Sequence, residues 1–341
     1  MDLVFPSSAR GVHSLIVLPS GIRKDLFEIK NEFVFLLRKL LQFQRFPLER
    51  RVQMLIFQLQ KTMGMDYSHR NYALNTFLTT HLLRYNGWLK KEEKEFYTTD
   101  FFFATNDISR ITLRKKPSSD FLVFDQVFVL KEYQHIVNLM LKTIDPSAPL
   151  KIIDAGANIG LASLYFMRVF KKATICLVEP DPANFDFLKK NIEQNKINSI
   201  LINGGVWSHD TYLQINRDFR DGNDWSVNVT ESPVFTTVKG YSIPTLMHEA
   251  GFQMIDLLKI DIEGAEKQLF NNEKTAGEFL SKTRFICIEI HDECNCRNKI
   301  YECLTKNQFN YFERNGLTFG INQELLQPNI VNQSKEKVGF S

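Results

Sequence analysis

Apolar residues recur at helical spacing from Arg23 to about Leu89. Leu26, Ile29, Phe33, Leu36, Leu37, Leu40 and Leu41 form one stripe, as wide as a helix face that packs on a core. Pro47 suits the first turn of a second helix carrying Val52, Leu55, Ile56 and Leu59, and Gly64 ends it. Tyr72, Phe77, Leu78, Leu82 and Tyr85 mark a third helix before Gly87. The pattern predicts an N-terminal helical domain over residues 1–100, serving as an accessory, oligomerisation or acceptor-binding unit.

The period changes after Asp100. Ile108–Leu113 alternates as a strand does, Lys115-Lys116-Pro117-Ser118-Ser119 breaks it, and Phe121–Leu130 is dense in Phe and Val. Residues 101–149 therefore read as lead-in strands, a helix and a linker, the linker being Asp145-Pro146-Ser147-Ala148-Pro149. From 150 to 325, strand and helix alternate, which predicts a parallel sheet covered on both faces. The strands are Lys151–Asp154, Thr174–Glu179, Ser199–Asn203, Asp256–Asp261 and Arg284–His291, with helices at Leu161–Phe170 and Asn184–Asn195. Between Trp207 and Gly251 the chain reads as hairpin strands, then a helix after Pro244. Phe309–Arg314 and Leu317–Ile321 about Asn315-Gly316 predict an antiparallel hairpin, and 326–341 is a tail. The expected fold class is α/β: a doubly wound, mostly parallel Rossmann-like sheet with a C-terminal hairpin, preceded by the helical domain.

Composition narrows the class. Hydrophobic residues are 44% and charged residues 24%, an ordinary globular mix that excludes a disordered or collagen-like chain. The 29 Phe point to a large core or an apolar contact surface. With 42 basic and 39 acidic residues the net charge is +3, too small a surplus to imply nucleic acid. No apolar run reaches the ~18–20 residues needed to span a bilayer, and the first twenty residues lack the basic start and apolar stretch of a secretory signal. Cys176, Cys287, Cys294, Cys296 and Cys303 are odd in number and fit reduced thiols. A cytoplasmic protein is expected.

The first α/β strand runs into Asp154-Ala155-Gly156-Ala157-Asn158-Ile159-Gly160 and then an apolar helix. Gly156 and Gly160 allow tight turning and close backbone approach at a helix N-terminus. Glu179 ends the second strand about twenty residues later, where a carboxylate can accept both ribose hydroxyls. Dinucleotide sites use G-x-G-x-x-G. Here the spacing is G-x-x-x-G with Asp154 ahead of it, and an acid there repels a pyrophosphate but suits the cationic methionine moiety of S-adenosylmethionine.

Two later strands end in polar residues. Lys259 and Asp261 share one side of their strand, as do Glu289 and His291. All four fall toward carboxyl ends, where such sheets bind ligands. Lys259 and Glu289 read either as a salt-bridge cluster or as substrate contacts, whereas Asp261 and His291, nearest the rim, read as functional. Asp261, Glu289 and His291 are also suitable donors for a divalent metal. A different reading takes His291, Cys294, Cys296 and Cys303 as zinc ligands of a binding module without methyl transfer.

Together these residues resemble the FkbM-type methyltransferases. The segments that carry the resemblance are Ile153–Gly160, Val178-Glu179-Pro180, Leu258–Glu266 and Ile288-Glu289-Ile290-His291, with Asp120, Val127-Phe128 and Glu132-Tyr133 as a lead-in. It spans roughly residues 108–320. It implies an S-adenosylmethionine-dependent enzyme with the class I Rossmann-like fold that methylates a hydroxyl oxygen of a sugar, glycan or natural product. By resemblance, Asp154, Gly156, Asn158 and Gly160 line the methionine end and Glu179 the ribose, with Glu132 from the lead-in also on the cofactor. The chain departs from many class I enzymes after the third strand, where Asn203–Trp207 holds no acid, so backbone groups around Val206 are left to hold adenine.

For in-line transfer to a hydroxyl, His291 is the first candidate for general base because its ordinary pKa, about 6.5, lies near working pH. Asp261 is the alternative base or the orienting group. Lys259, Glu263, Glu289 and Trp225, in the loop Gly222–Ser226, are candidate acceptor contacts. A nucleic-acid or protein methyltransferase is the rival reading, and a homo-oligomer through the helical domain is a further expectation.

Overall fold

The computed structural model describes residues 87–103, 107–115, 117–216, 228–234 and 238–326, with a few single positions between 48 and 63. Leu48, Arg51, Val52, Leu55, Ile56 and Gln60 among these are helical. The rest of the expected helical domain lies outside the described residues. The chain divides into two compact units, residues 1–89 and 90–341.

The first sheet corrects the sequence reading. β1 (Gly87–Glu92), β2 (Phe96–Phe102) and β3 (Ile108–Arg114) form a three-stranded sheet in that order, so the stretch up to residue 100 is not helical throughout. Phe96–Phe102 is rich in aromatic and β-branched residues that fit a pleated, half-buried surface, and it pairs antiparallel with β3 from Phe96↔Arg114 to Phe102↔Ile108. A short helix, Asp120–Phe124, passes directly into a π-helical turn, Asp125–Val129. Helix Gln134–Thr143 and the turn at Asp145–Pro149 then lead into the main sheet. This lead-in belongs to the same compact unit as the sheet.

The main sheet comprises β4 (Lys151–Ala155), β5 (Thr174–Glu179), β6 (Ser199–Asn203), β11 (Ile255–Ile260), β12 (Thr283–Glu289), β13 (Phe309–Arg314) and β14 (Leu317–Asn322). Its order is β13-β14-β12-β11-β4-β5-β6. β4, β5, β6, β11 and β12 pair parallel, while β14 runs antiparallel to β12 and closes a hairpin with β13. All six residues of β11 are buried, as expected of a central strand covered on both faces. The order reverses between β4 and β11, the switch point where ligand crevices form at strand carboxyl ends.

Between β6 and β11 a second sheet forms from β7 (Gly205–Val206), β8 (Thr211–Asn216), β9 (Asn228–Glu231) and β10 (Val238–Tyr241), ordered β7-β10-β8-β9. Helix Ile243–Glu249 follows, with Ser242 as its cap. No helix among the described residues is long and apolar enough to cross a membrane.

Candidate active site

A cleft of about 260 Å³ opens at the carboxyl ends of β4, β5, β11 and β12. The glycine loop forms one wall. Gly156 has φ +79°, and a Cβ there would lie 1.7 Å from the Asp261 carbonyl oxygen, so only glycine fits. The Asp261 N–H donates to Ala155 O at 3.0 Å, which stitches the ends of β11 and β4 together. Gly156, Ala157 and Asn158 line the cleft, but Gly160 does not. Gly160 instead starts the helix Leu161–Val169 in a left-handed conformation against Leu188.

Glu179 lines the cleft and is only 4% exposed. Its carboxylate accepts the Asn158 N–H at 2.8 Å and the Asp181 N–H at 2.9 Å. Burial pushes its pKa up to about 7 in spite of these donors. Val206 lies near it on the cleft wall, while Trp207 packs in the core.

Asp154 is fully buried and is not part of the cleft lining. Cross-strand register sets it beside Lys259, with 3.2 Å between carboxylate and ammonium, and it accepts the Ser163 hydroxyl at 2.6 Å. The expected methionine contact is therefore a buried anchor behind the loop. Lys259 does reach the cleft, but its ammonium also donates to Gly156 O at 2.6 Å and lies 3.4 Å from Asp261. Burial alone would lower its pKa. The Asp154 and Asp261 carboxylates outweigh burial and hold it raised.

The structure sets His291 between two carboxylates behind the rim of the cleft. β12 ends at Glu289, so His291 no longer follows the strand's alternation and is buried away from the cleft lining. Its Nδ1 lies 3.1 Å from Glu266 Oε1 and its Nε2 lies 3.2 Å from Glu263 Oε2. A carboxylate facing each nitrogen favours the protonated ring. Burial disfavours that charge, yet the two carboxylates raise the pKa to about 11. An imidazolium has no lone pair with which to take a proton.

Glu266 is the residue that sequence reasoning missed. Fully buried, it accepts the Ile262 N–H at 3.0 Å and the Gly264 N–H at 2.9 Å besides pairing with His291. It clamps the loop that carries Asp261 and Glu263 onto the cleft. The available signal was an acid opening a helix, Glu266–Asn271, whose inward face is apolar.

Three carboxylates gather near this loop. Asp261 and Glu289 line the cleft, as does Glu132 from the lead-in. Glu289 is raised to about 8, first by the neighbouring Asp261 charge and then by burial. Glu132 is raised to about 7 by burial and then by Asp261. Donor atoms of Asp261, Glu289 and His291 lie within 4.8 Å of one another, and a divalent cation bound there would displace the imidazole proton. The cysteine set expected for zinc is not assembled among the described residues. Cys303 Sγ approaches Phe270 O at 3.7 Å and Cys296 Sγ approaches His291 O at 4.0 Å. Trp225 and the loop Gly222–Ser226 lie outside the described residues.

A parallel-rich sheet of this order, with a glycine loop after one strand and an acid at the end of the next, defines the Rossmann-like methyltransferases. Residues 154–330 match the methyltransferase FkbM domain, and the chain belongs to that family. It is similar to methyltransferase sdnD of Sordaria araneosa, 27% identical over 197 residues that cover 48% of this chain and 74% of the relative. It is also similar to 2-O-methyltransferase NoeI of Sinorhizobium fredii, 27% identical over 186 residues, 48% of this chain and 70% of the relative. Among solved structures, the METTL16 MTase domain is 14% identical with a TM-score of 0.35; the alignment covers 55% of this chain and 65% of that one.

Proposed function

We propose that the protein transfers a methyl group from S-adenosylmethionine to a hydroxyl of a sugar, glycan or natural-product acceptor, with Asp261 as general base. The observation that carries this reading is the position of Asp261, whose backbone seals the glycine loop while its carboxylate lines the same cleft. Similarity to a 2-O-methyltransferase supports oxygen as the acceptor atom.

The residues fit the cofactor. Side-chain-free backbone at Gly156 gives close approach, and Glu179 is a buried carboxylate with its rim in the cleft, suited to ribose hydroxyls. Val206 and Val178 offer an apolar wall for adenine. Bound S-adenosylmethionine supplies a methyl group already activated on sulfur. The chain's own tasks are to align an acceptor oxygen and to remove its proton. Asp261 lies 3.4 Å from the Lys259 ammonium and is the carboxylate assigned to take the proton. Glu289, raised by Asp261 and by burial, lines the acceptor side of the same cleft. His291, Glu263 and Glu266 are positioning residues that hold the Asp261 loop.

Calorimetric titration with S-adenosylmethionine tests the cofactor, with micromolar binding expected for the wild type and none for Glu179→Ala. Asp261→Asn should retain cofactor binding and lose turnover by about 10²–10⁴-fold. Near-full turnover in Asp261→Asn would remove the base assignment, and absence of binding by the folded wild type would remove the whole reading.

A further inference from the structure

The cleft is unbalanced in charge. Among the described residues its lining carries Glu132, Glu179, Asp261, Glu263 and Glu289 against one ammonium, Lys259. That ammonium is committed to Gly156 O, Asp154 and Asp261. The nearby imidazolium of His291 is held between Glu263 and Glu266. Glu179 is engaged at the opposite wall by the Asn158 and Asp181 N–H groups. The acceptor end is thus set by Glu132, Asp261 and Glu289. The raised pKa values of Glu132 and Glu289, each traced in part to Asp261, are the response of carboxylates with too few counter-charges.

We infer that the acceptor is an uncharged or amine-bearing polyol, such as an amino sugar, and that the cleft excludes compounds carrying phosphate or carboxylate near the reacting hydroxyl. This rests on the methyl-transfer reading above. Carboxylates accept hydrogen bonds from hydroxyl and ammonium groups. An acceptor anion would be stripped of water beside these acidic groups, with no uncommitted cation among the described residues of the lining to pair with it. Glu132 comes from the lead-in segment ahead of residues 154–330. Part of the selectivity therefore resides in residues that the family match does not include.

The test is a calorimetric titration of the full-length protein in two stages. S-adenosylhomocysteine is titrated first, and its failure to bind would count against the methyl-transfer reading itself. The loaded protein is then titrated with methyl glucosaminide, methyl glucoside and methyl glucuronide, which share one ring and differ in charge. The glucosaminide is expected to bind at least ~10-fold more tightly than the glucuronide, with the glucoside between them. Glu132→Gln should narrow that interval. A glucosaminide signal no stronger than that of the glucuronide, silence of both included, overturns the inference. Should Glu132→Gln melt early, the wild-type order of the three glycosides decides alone.

Discussion

His291 shows how a side chain just past a strand end can be drawn into an ion cluster. It lies at 3% exposure between Glu263 and Glu266, and the trio ties the end of β12 to the loop after β11. Removing the cation strands two acids, a loss of about 3–5 kcal/mol for a buried pair. His291→Ala is therefore expected to lower the melting temperature without any ligand, whereas loss of a mere base would leave melting unchanged. The pH dependence has a definite sign. A pKa raised in the folded state above the unfolded value of about 6.5 gives stability that is full below that value and is lost as pH rises through about 11. Urea unfolding of wild type and His291→Gln between pH 6 and 10 should show the wild-type advantage shrinking with pH; a constant gap would refute the ion pairing. Gly156→Ala belongs to the same scale. Its Cβ would meet the Asp261 carbonyl at 1.7 Å, so the loop or the end of β11 must shift, and a loss of about 1–3 kcal/mol is expected from melting.

Among the elements, Asn191 on the helix Pro182–Gln194 joins three segments. Its side chain accepts the Thr112 N–H at 2.7 Å and donates to Thr112 O at 3.1 Å and to Ile159 O at 2.9 Å. One amide thus binds β3 of the lead-in to the glycine loop. Asn191→Ala leaves buried backbone groups unpaired at about 1–3 kcal/mol each, and thermal melting should show a drop of several degrees with weaker cofactor binding. A variant that melts as wild type would mean water replaces the amide. The same contacts explain what the sequence disclosed. β5, β6 and β13 sit at the expected residues, and β4, β11, β12 and β14 within two, because apolar runs bounded by turns are local signals. β1 and β2 did not stand out, since a preceding helical period overran them and β2 is held by pairing with β3 on one side and β1 on the other. Site residues followed the same division. Asp261, Glu289, Glu179 and the glycine loop could be placed by strand ends, whereas the inward turns of Asp154 and His291 depend on partners distant in sequence.

The charge of the sequence is +3, yet the cleft lining among the described residues is acidic. An acidic lining is expected to make cofactor binding sensitive to the sulfonium charge that distinguishes S-adenosylmethionine from S-adenosylhomocysteine. A ligand that binds only the folded state at about 100 times its dissociation constant stabilises that state by about 2.7 kcal/mol. For a compact unit of this size that corresponds to a rise of roughly 5–10 °C in melting temperature. S-adenosylmethionine is expected to produce such a rise, and S-adenosylhomocysteine at equal concentration a smaller one. Raising the salt toward 1 M shortens the screening length from about 10 Å to about 3 Å, so the difference between the two should contract while the part due to adenine and ribose contacts persists. Differential scanning fluorimetry over a salt series reads both quantities at once. Equal shifts at every salt concentration would mean the carboxylates do not sense the sulfonium, and no shift with either ligand would remove the cleft as the cofactor site.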